Sequence, residues 1–182
     1  MRRHGDGKDG DYRSLSERIK TGMAIRNQHS LVANCSPESV WQVFQDVARW
    51  PEWNDVIGSA AWVEGQPWQK DARLRIEIVR PISLTLEPQV LGTAPPNVVH
   101  WGGGGMGVKA EILFRFDPQQ DGTTLMQVWQ EFTGAATMFV TQRMKRDVIT
   151  LFDGWLQSLK REAERLSAGG TTQPARPETS PS

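Results

Sequence analysis

The chain has 182 residues, 38% of them hydrophobic and 23% charged, a composition that suits one ordinary globular domain rather than a disordered chain. Lys plus Arg and Asp plus Glu both number 21, so there is no positive excess for a phosphate backbone, and nucleic acid is not an expected partner. No apolar run is long enough to span a membrane, Met1-Arg2-Arg3-His4 does not lead into a signal sequence, and the single Cys35 excludes an internal disulfide and a cysteine-based zinc cluster.

A cytoplasmic location is therefore the expectation. Residues 1–26 are polar and aperiodic, and read as a disordered or mis-annotated extension, with Met23 a candidate initiator. Gln28 to Asn34 is a short β-prone stretch around Leu31 and Val32. Ser36-Pro37 then offers an N-cap followed by proline at the first helical position. Val40, Val43, Phe44 and Val47 recur at helical spacing, which predicts a short amphipathic helix. Its end is expected before Trp50-Pro51, because a residue preceding proline is biased away from helix.

Strands follow. Ala60 to Val63 is one; Leu74, Ile76 and Ile78 alternate with charged residues in the next. Ile82, Leu84 and Leu86 alternate in a third, and Asn97 to Trp101 is a shorter one after Pro95-Pro96. Val108 to Phe116 alternates over its whole length, and Asp121-Gly122 is a hairpin signal ahead of Thr124 to Thr133. A long helix is predicted from Met138 to Leu166, with Val140, Met144, Val148, Leu151, Trp155 and Leu159 as an apolar stripe. Residues 167–182 are rich in Gly, Thr, Pro and Ser and read as a disordered tail.

The order strand, helix, six strands, long helix predicts an α+β domain over residues 27–166. A curved antiparallel sheet of about seven strands would wrap around the C-terminal helix. Such a grip cannot close its interior completely, so an apolar space is expected between sheet and helix. Eight tryptophans against one tyrosine suit both a core and a ligand pocket, with core packing the default for each.

Several constellations have weaker functional readings. Gly102, Gly104 and Gly107 match a dinucleotide-binding pattern in spelling, but a strand follows them rather than a helix, so no nucleotide cofactor is expected. His4, His29 and His100 are too scattered for a metal motif, and His100 is expected at the surface or rim. Glu77, Glu87, Glu111 and Glu131 fall on polar strand faces, where Arg73, Arg75, Lys109 or Arg115 can pair with them. Arg143, Lys145, Arg146 and Asp147 read as a solvated helix face. Gln130 shares parity with Val128 and Phe132 and is expected to point inward, where an amide needs a partner: a water, a side chain or a ligand carbonyl.

The chain resembles the SRPBCC superfamily, the helix-grip fold of START lipid-transfer domains, birch-pollen-allergen-like proteins and polyketide cyclases. The resemblance rests on Ser36-Pro37-Glu38-Ser39-Val40-Trp41, then Trp50-Pro51-Glu52-Trp53-Asn54-Asp55-Val56-Ile57, Asp121-Gly122-Thr123-Thr124 and Glu131-Phe132-Thr133-Gly134. It covers about Gln28 to Leu166 and is closest to the bacterial polyketide cyclase/dehydrase-like branch. It implies a ligand in an inner cavity. Related sequences often carry His and Glu where Ile112 and Gln130 stand here, which removes a potential acid–base pair.

Three readings follow. The first is binding or carriage of a hydrophobic or aromatic molecule, lipid- or polyketide-like, with no cofactor or metal. Its pocket would be lined by Ile76, Ile78, Leu84, Leu86, Trp101, Ile112, Phe114, Val128, Gln130, Met144, Val148, Phe152 and Trp155, with Trp50 and Trp53 at one end. The second is a polyketide aromatase/cyclase or dehydratase-type enzyme, in which the cavity would fold the substrate and Gln130 or a bound water would assist enolisation. The third is a non-catalytic, co-chaperone-like interaction module.

Overall fold

The computed structural model describes residues 24–105 and 107–169. The expectations for Met23 and for most of both tails fall outside the described residues. Strand β1 (Ile25–Ala33) begins the fold, followed by helix α1 (Pro37–Phe44), a 3₁₀ turn (Val47–Arg49) and a one-turn helix α2 (Trp50–Trp53). Seven strands come next: β2 (Ile57–Glu64), β3 (Arg73–Ile78), β4 (Leu84–Leu86), β5 (Gln89–Ala94), β6 (Val98–Gly105), β7 (Val108–Pro118) and β8 (Thr124–Thr133). A second 3₁₀ turn (Ala135–Phe139) leads into the long helix α3 (Gln142–Gly169).

All pairings are antiparallel, in the order β1-β8-β7-β6-β5-β3-β2 with β4 on β3, and α3 lies against the sheet in a helix-grip α+β arrangement. Register shifts in β2–β3 and β5–β6 mark bulges, which bend strands. The edge strand β1 is not left bare. Lys160 Nζ on α3 donates to the Val32 carbonyl (2.7 Å), and the Asn34 N–H donates to Glu164 Oε1 (2.7 Å), so the helix satisfies groups that could otherwise pair with another chain.

Several elements differ from expectation, among them β1, which starts at Ile25 rather than Gln28, and α3, which runs to Gly169 rather than Leu166. The Ser36 side chain caps α1 as foreseen, accepting from the Ser39 N–H, but the chain is helical again at Trp50. Pro51 stands in the first turn of α2, where its missing N–H breaks no helical bond, so the bias against helix before proline is overridden. Helix α3 starts at Gln142 rather than Met138, because Thr141 Oγ1 accepts the Met144 N–H (3.2 Å) and acts as the N-cap. Strand β5 is an eighth strand beyond the seven expected. Its sequence is interrupted by Gly92 and flanked by prolines, and its pairing with Val98–Gly102 is what makes it a strand.

The core is dominated by rings. Phe44 sits at its centre, with ring centroids 5.1 Å from Phe114, 5.4 Å from Trp50 and Phe116, and 5.5 Å from Trp68. Trp101 and Trp155 extend this stack up to α3, 6.2 Å apart. Trp50 is fully buried, and its indole N–H donates to the Phe44 carbonyl (2.9 Å). This end of the grip is filled.

Candidate functional site

The opposite end is not filled, and the reason lies in the strand sequence. On the concave face, Trp101, Gly103 and Gly105 of β6 pair with Ile112, Ala110 and Val108 of β7. Past Trp101 the sheet therefore presents two bare glycines, one methyl group and the short side chain of Val108. A Cβ placed on Gly105 would meet nothing within 4 Å, and one on Gly103 nothing nearer than 3.6 Å. Strand β5 also begins only at Gln89, opposite Gly102, so the glycine end of β6 runs past it toward β4.

The result is a cavity of about 470 Å³ between β4, the β6–β7 end and α3, within the size range of small-molecule sites. Of the residues expected at a ligand, Ile76, Ile78, Leu84, Leu86, Trp101 and Ile112 line it from the sheet, and Phe152 and Trp155 from the helix. Leu151, Phe132, Val108 and Ala110 line it as well, without having been foreseen. The remaining expected residues lie elsewhere. Phe114, Val128 and Gln130 are 0% exposed and form no part of the cavity surface. Val148 is half-buried against the core. Met144 is 51% exposed, since the buried residues of α3 begin only at Leu151 and its first turns have no apolar layer under them. Trp50 belongs to the aromatic core, and Trp53 faces a separate outer cleft of about 670 Å³ with Trp62 and Trp68.

Charged groups behave as outward-facing pairs. Glu87, the carboxylate at the cavity rim, is held 2.7 Å from Arg75 Nη2. Glu111 pairs with Lys109 (2.8 Å), and Glu131 with Arg26 (3.0 Å). Burial acts to raise the Glu111 pKa, but the Lys109 hydrogen bond and charge, followed by His100, outweigh it and hold the carboxyl below its ordinary range. His100 is not a surface histidine: its side chain is 9% exposed and its Nε2 lies 3.4 Å from Glu111. Burial pushes its pKa down, and Glu111 only partly offsets this. Among the described residues no three His, Cys, Asp or Glu side chains converge as a metal site would require. Gly102 to Gly105 form the end of β6, in ladder with Glu111 to Val108, with no helix N-terminus to meet a phosphate.

One inward-facing group escaped the sequence reading. Ile25, Asn27, His29, Leu31 and Ala33 of β1 alternate with residues turned the other way, most of them exposed. His29 Nδ1 lies 2.6 Å from Asp153 Oδ1 of α3, and its ring stacks on Phe152 at 6.4 Å. A carboxylate only accepts, so Nδ1 carries the hydrogen and in the neutral ring Nε2 is left as an acceptor. That Nε2 is buried and has no hydrogen-bond partner in the protein. The period-two pattern of β1 carries the signal, but it is complete only with Ile25 to Asn27, ahead of the Gln28 start that the sequence predicts.

The comparisons with known proteins agree with this architecture. The model of the polyketide cyclase / dehydrase and lipid transport family matches residues 24–164. No curated protein matches the chain. Among solved structures, a START superfamily protein from Mycobacterium smegmatis is similar at a TM-score of 0.63 and 19% identity, over 78% of this chain and 98% of that one. The Zhui aromatase/cyclase from Streptomyces sp. R1128 gives a TM-score of 0.68 at 16% identity, over 81% and 98%. Ara h 8.0201 gives 0.63 at 11% identity, over 77% and 97%. At these identities the likeness speaks for the fold alone.

Proposed function

Because the chain belongs to the polyketide cyclase / dehydrase and lipid transport family, we propose that it binds and carries a hydrophobic or aromatic small molecule, lipid- or polyketide-like, between sheet and C-terminal helix. One observation carries this reading: the 470 Å³ cavity is walled by aliphatic and aromatic side chains, and its one rim carboxylate is already paired. Removing apolar surface from water at roughly 25 cal/mol per Å² drives such binding without any charged contact. No cofactor enters this role, and the cytoplasm is the proposed location. No helix among the described residues is long and apolar enough to cross a membrane.

Trp101 and Trp155 line the cavity, so a bound aromatic guest changes tryptophan emission. The test is a panel of fatty acids, naphthalenes and anthraquinones, read by emission and melting temperature. A ligand at 100 times its Kd adds about 2.7 kcal/mol of stability. Ala110→Phe projects a ring into the cavity and abolishes the response while the fold persists. An unchanged wild-type signal across the panel, or a response that survives in Ala110→Phe, defeats the reading.

A second reading, a cyclase- or dehydratase-type enzyme, is favoured by one observation: the His29–Asp153 pair holds an imidazole nitrogen toward the interior in the geometry of a general base. It is also the activity named for one structural neighbour. Turnover of a poly-β-keto thioester that disappears in His29→Phe supports it; unchanged turnover in that variant counts against the role.

A further inference from the structure

Asn27 Nδ2, His29 Nε2, both amide atoms of Gln130 and Trp155 Nε1 are buried and have no hydrogen-bond partner within the protein. Those of Asn27, His29 and Gln130 lie together on β1 and β8. Asn27 and Gln130 are register partners on adjacent strands, a relation that places Cβ atoms about 4.5–5.5 Å apart. His29 is the next inward position on β1, roughly 6.7 Å along the strand. The row adjoins the cavity wall: Ile112, the register partner of Gln130 on β7, and Phe132, two residues along the same face of β8, both line the cavity. Phe152 and Trp155 line it from above, and Phe152 also stacks on His29.

We propose that this row is a polar subsite for the hydroxyl group of an otherwise apolar ligand. This rests on the cavity reading given above. The chemistry narrows the guest. Gln130 and Asn27 supply donors, Gln130 Oε1 and His29 Nε2 supply acceptors, and neither Lys nor Arg contributes. A carboxylate or phosphate would leave water with no fixed counter-charge, which is costly, so the group is neutral. In the neutral ring, with Nδ1–H donated to Asp153, His29 Nε2 is satisfied only by a donor; a ketone or ester cannot provide one, whereas an alcohol, phenol or enol can. The ligand O–H donates to His29 Nε2, and the same oxygen accepts from an amide N–H of Gln130 or Asn27. Phe132, half-buried at the cavity wall, would turn aside to join the row to the cavity.

The probes are 1-naphthol and 1-methylnaphthalene, equal in shape and different in the hydroxyl, titrated into the full chain by tryptophan quenching and calorimetry. The expected result is at least tenfold tighter binding of 1-naphthol, falling to within twofold in His29→Phe with 1-methylnaphthalene unaffected. In the wild-type chain, the ¹⁵N shift of His29 Nε2 moves with 1-naphthol and not with its methyl analogue, a reading independent of any variant's folding. Equal affinities in the wild type, or an unmoved Nε2 resonance, overturn the subsite and leave the cavity reading standing; if neither probe binds, both fall.

Discussion

Replacing Gln130 by methionine should make the protein more stable. The side chain is 0% exposed, neither its Nε2 nor its Oε1 meets a partner in the protein, and its sheet neighbours are the apolar Ile112, Val128 and Phe132 with Asn27 as the polar one. An unpaired buried polar group costs about 1–3 kcal/mol. Methionine is unbranched, of similar length and free of strong polar atoms, so it can fill the space at a repacking cost under about 1.5 kcal/mol. The balance is a gain of roughly 1–2 kcal/mol, equivalent to about 2–8 °C in Tm for a domain near 150 residues. Urea and thermal unfolding of wild type and Gln130→Met measure it, and 1-naphthol titration of the same samples should show affinity lost as stability is gained, as expected where a strained site serves binding. A variant less stable than wild type by about 1 kcal/mol or more would mean that the amide is satisfied in the folded state, and the case for a polar subsite would go with it.

Other consequences are more local. Trp50→Ala removes a fully buried ring and its hydrogen bond to the Phe44 carbonyl, and should cost about 3–5 kcal/mol in urea unfolding, a large share of a typical domain's stability. Thr124→Val leaves the Cys35 carbonyl without the hydroxyl that donates to it at 2.6 Å, and should cost about 1–3 kcal/mol despite equal shape. Gly134 has φ +111°, and a Cβ there would clash with the Gly107 carbonyl oxygen, so Gly134→Ala should lower Tm and perturb the turn ahead of α3. His100 has its folded pKa depressed below 6.5 by burial. Below that value the unfolded chain binds more protons than the folded one, so stability present above about pH 6.5 is lost as pH falls toward the folded value. In His100→Leu the fall in unfolding midpoint between about pH 7.5 and 5 should flatten; an identical slope would show that other groups set it.

Much of the fold could be read from alternation, because whether successive side chains point to opposite faces is a property of the strand itself. Thr124 to Thr133 matched β8 at both ends, and Ser36 capped α1 as its side chain predicted. Strand β5 is unreadable for the converse reason: Gly92 and the flanking prolines interrupt Gln-Val-Leu-Gly-Thr-Ala, and its pairing with β6, with backbone bonds to Asp71 and Ala72 on the other side, holds it there. Thr141 as the cap of α3 is legible in principle, but Val140 continues the apolar stripe in the sequence and masks it.

For the site, sequence alone determined which residues turn inward, since facing is a local, period-two or period-3.6 matter. Trp101, Ile112, Phe152 and Trp155 were found that way, and the bare positions Gly103, Gly105 and Ala110 were there to be counted. Whether inward side chains fill the interior or leave a void depends on volumes summed over β3, β4, β6, β7, β8 and α3. That sum decided that the aromatic end is solid and the glycine end open. It also brought His29 beside Asp153, 124 residues away, an encounter that chain order does not encode and only the docking of α3 onto β1 produces.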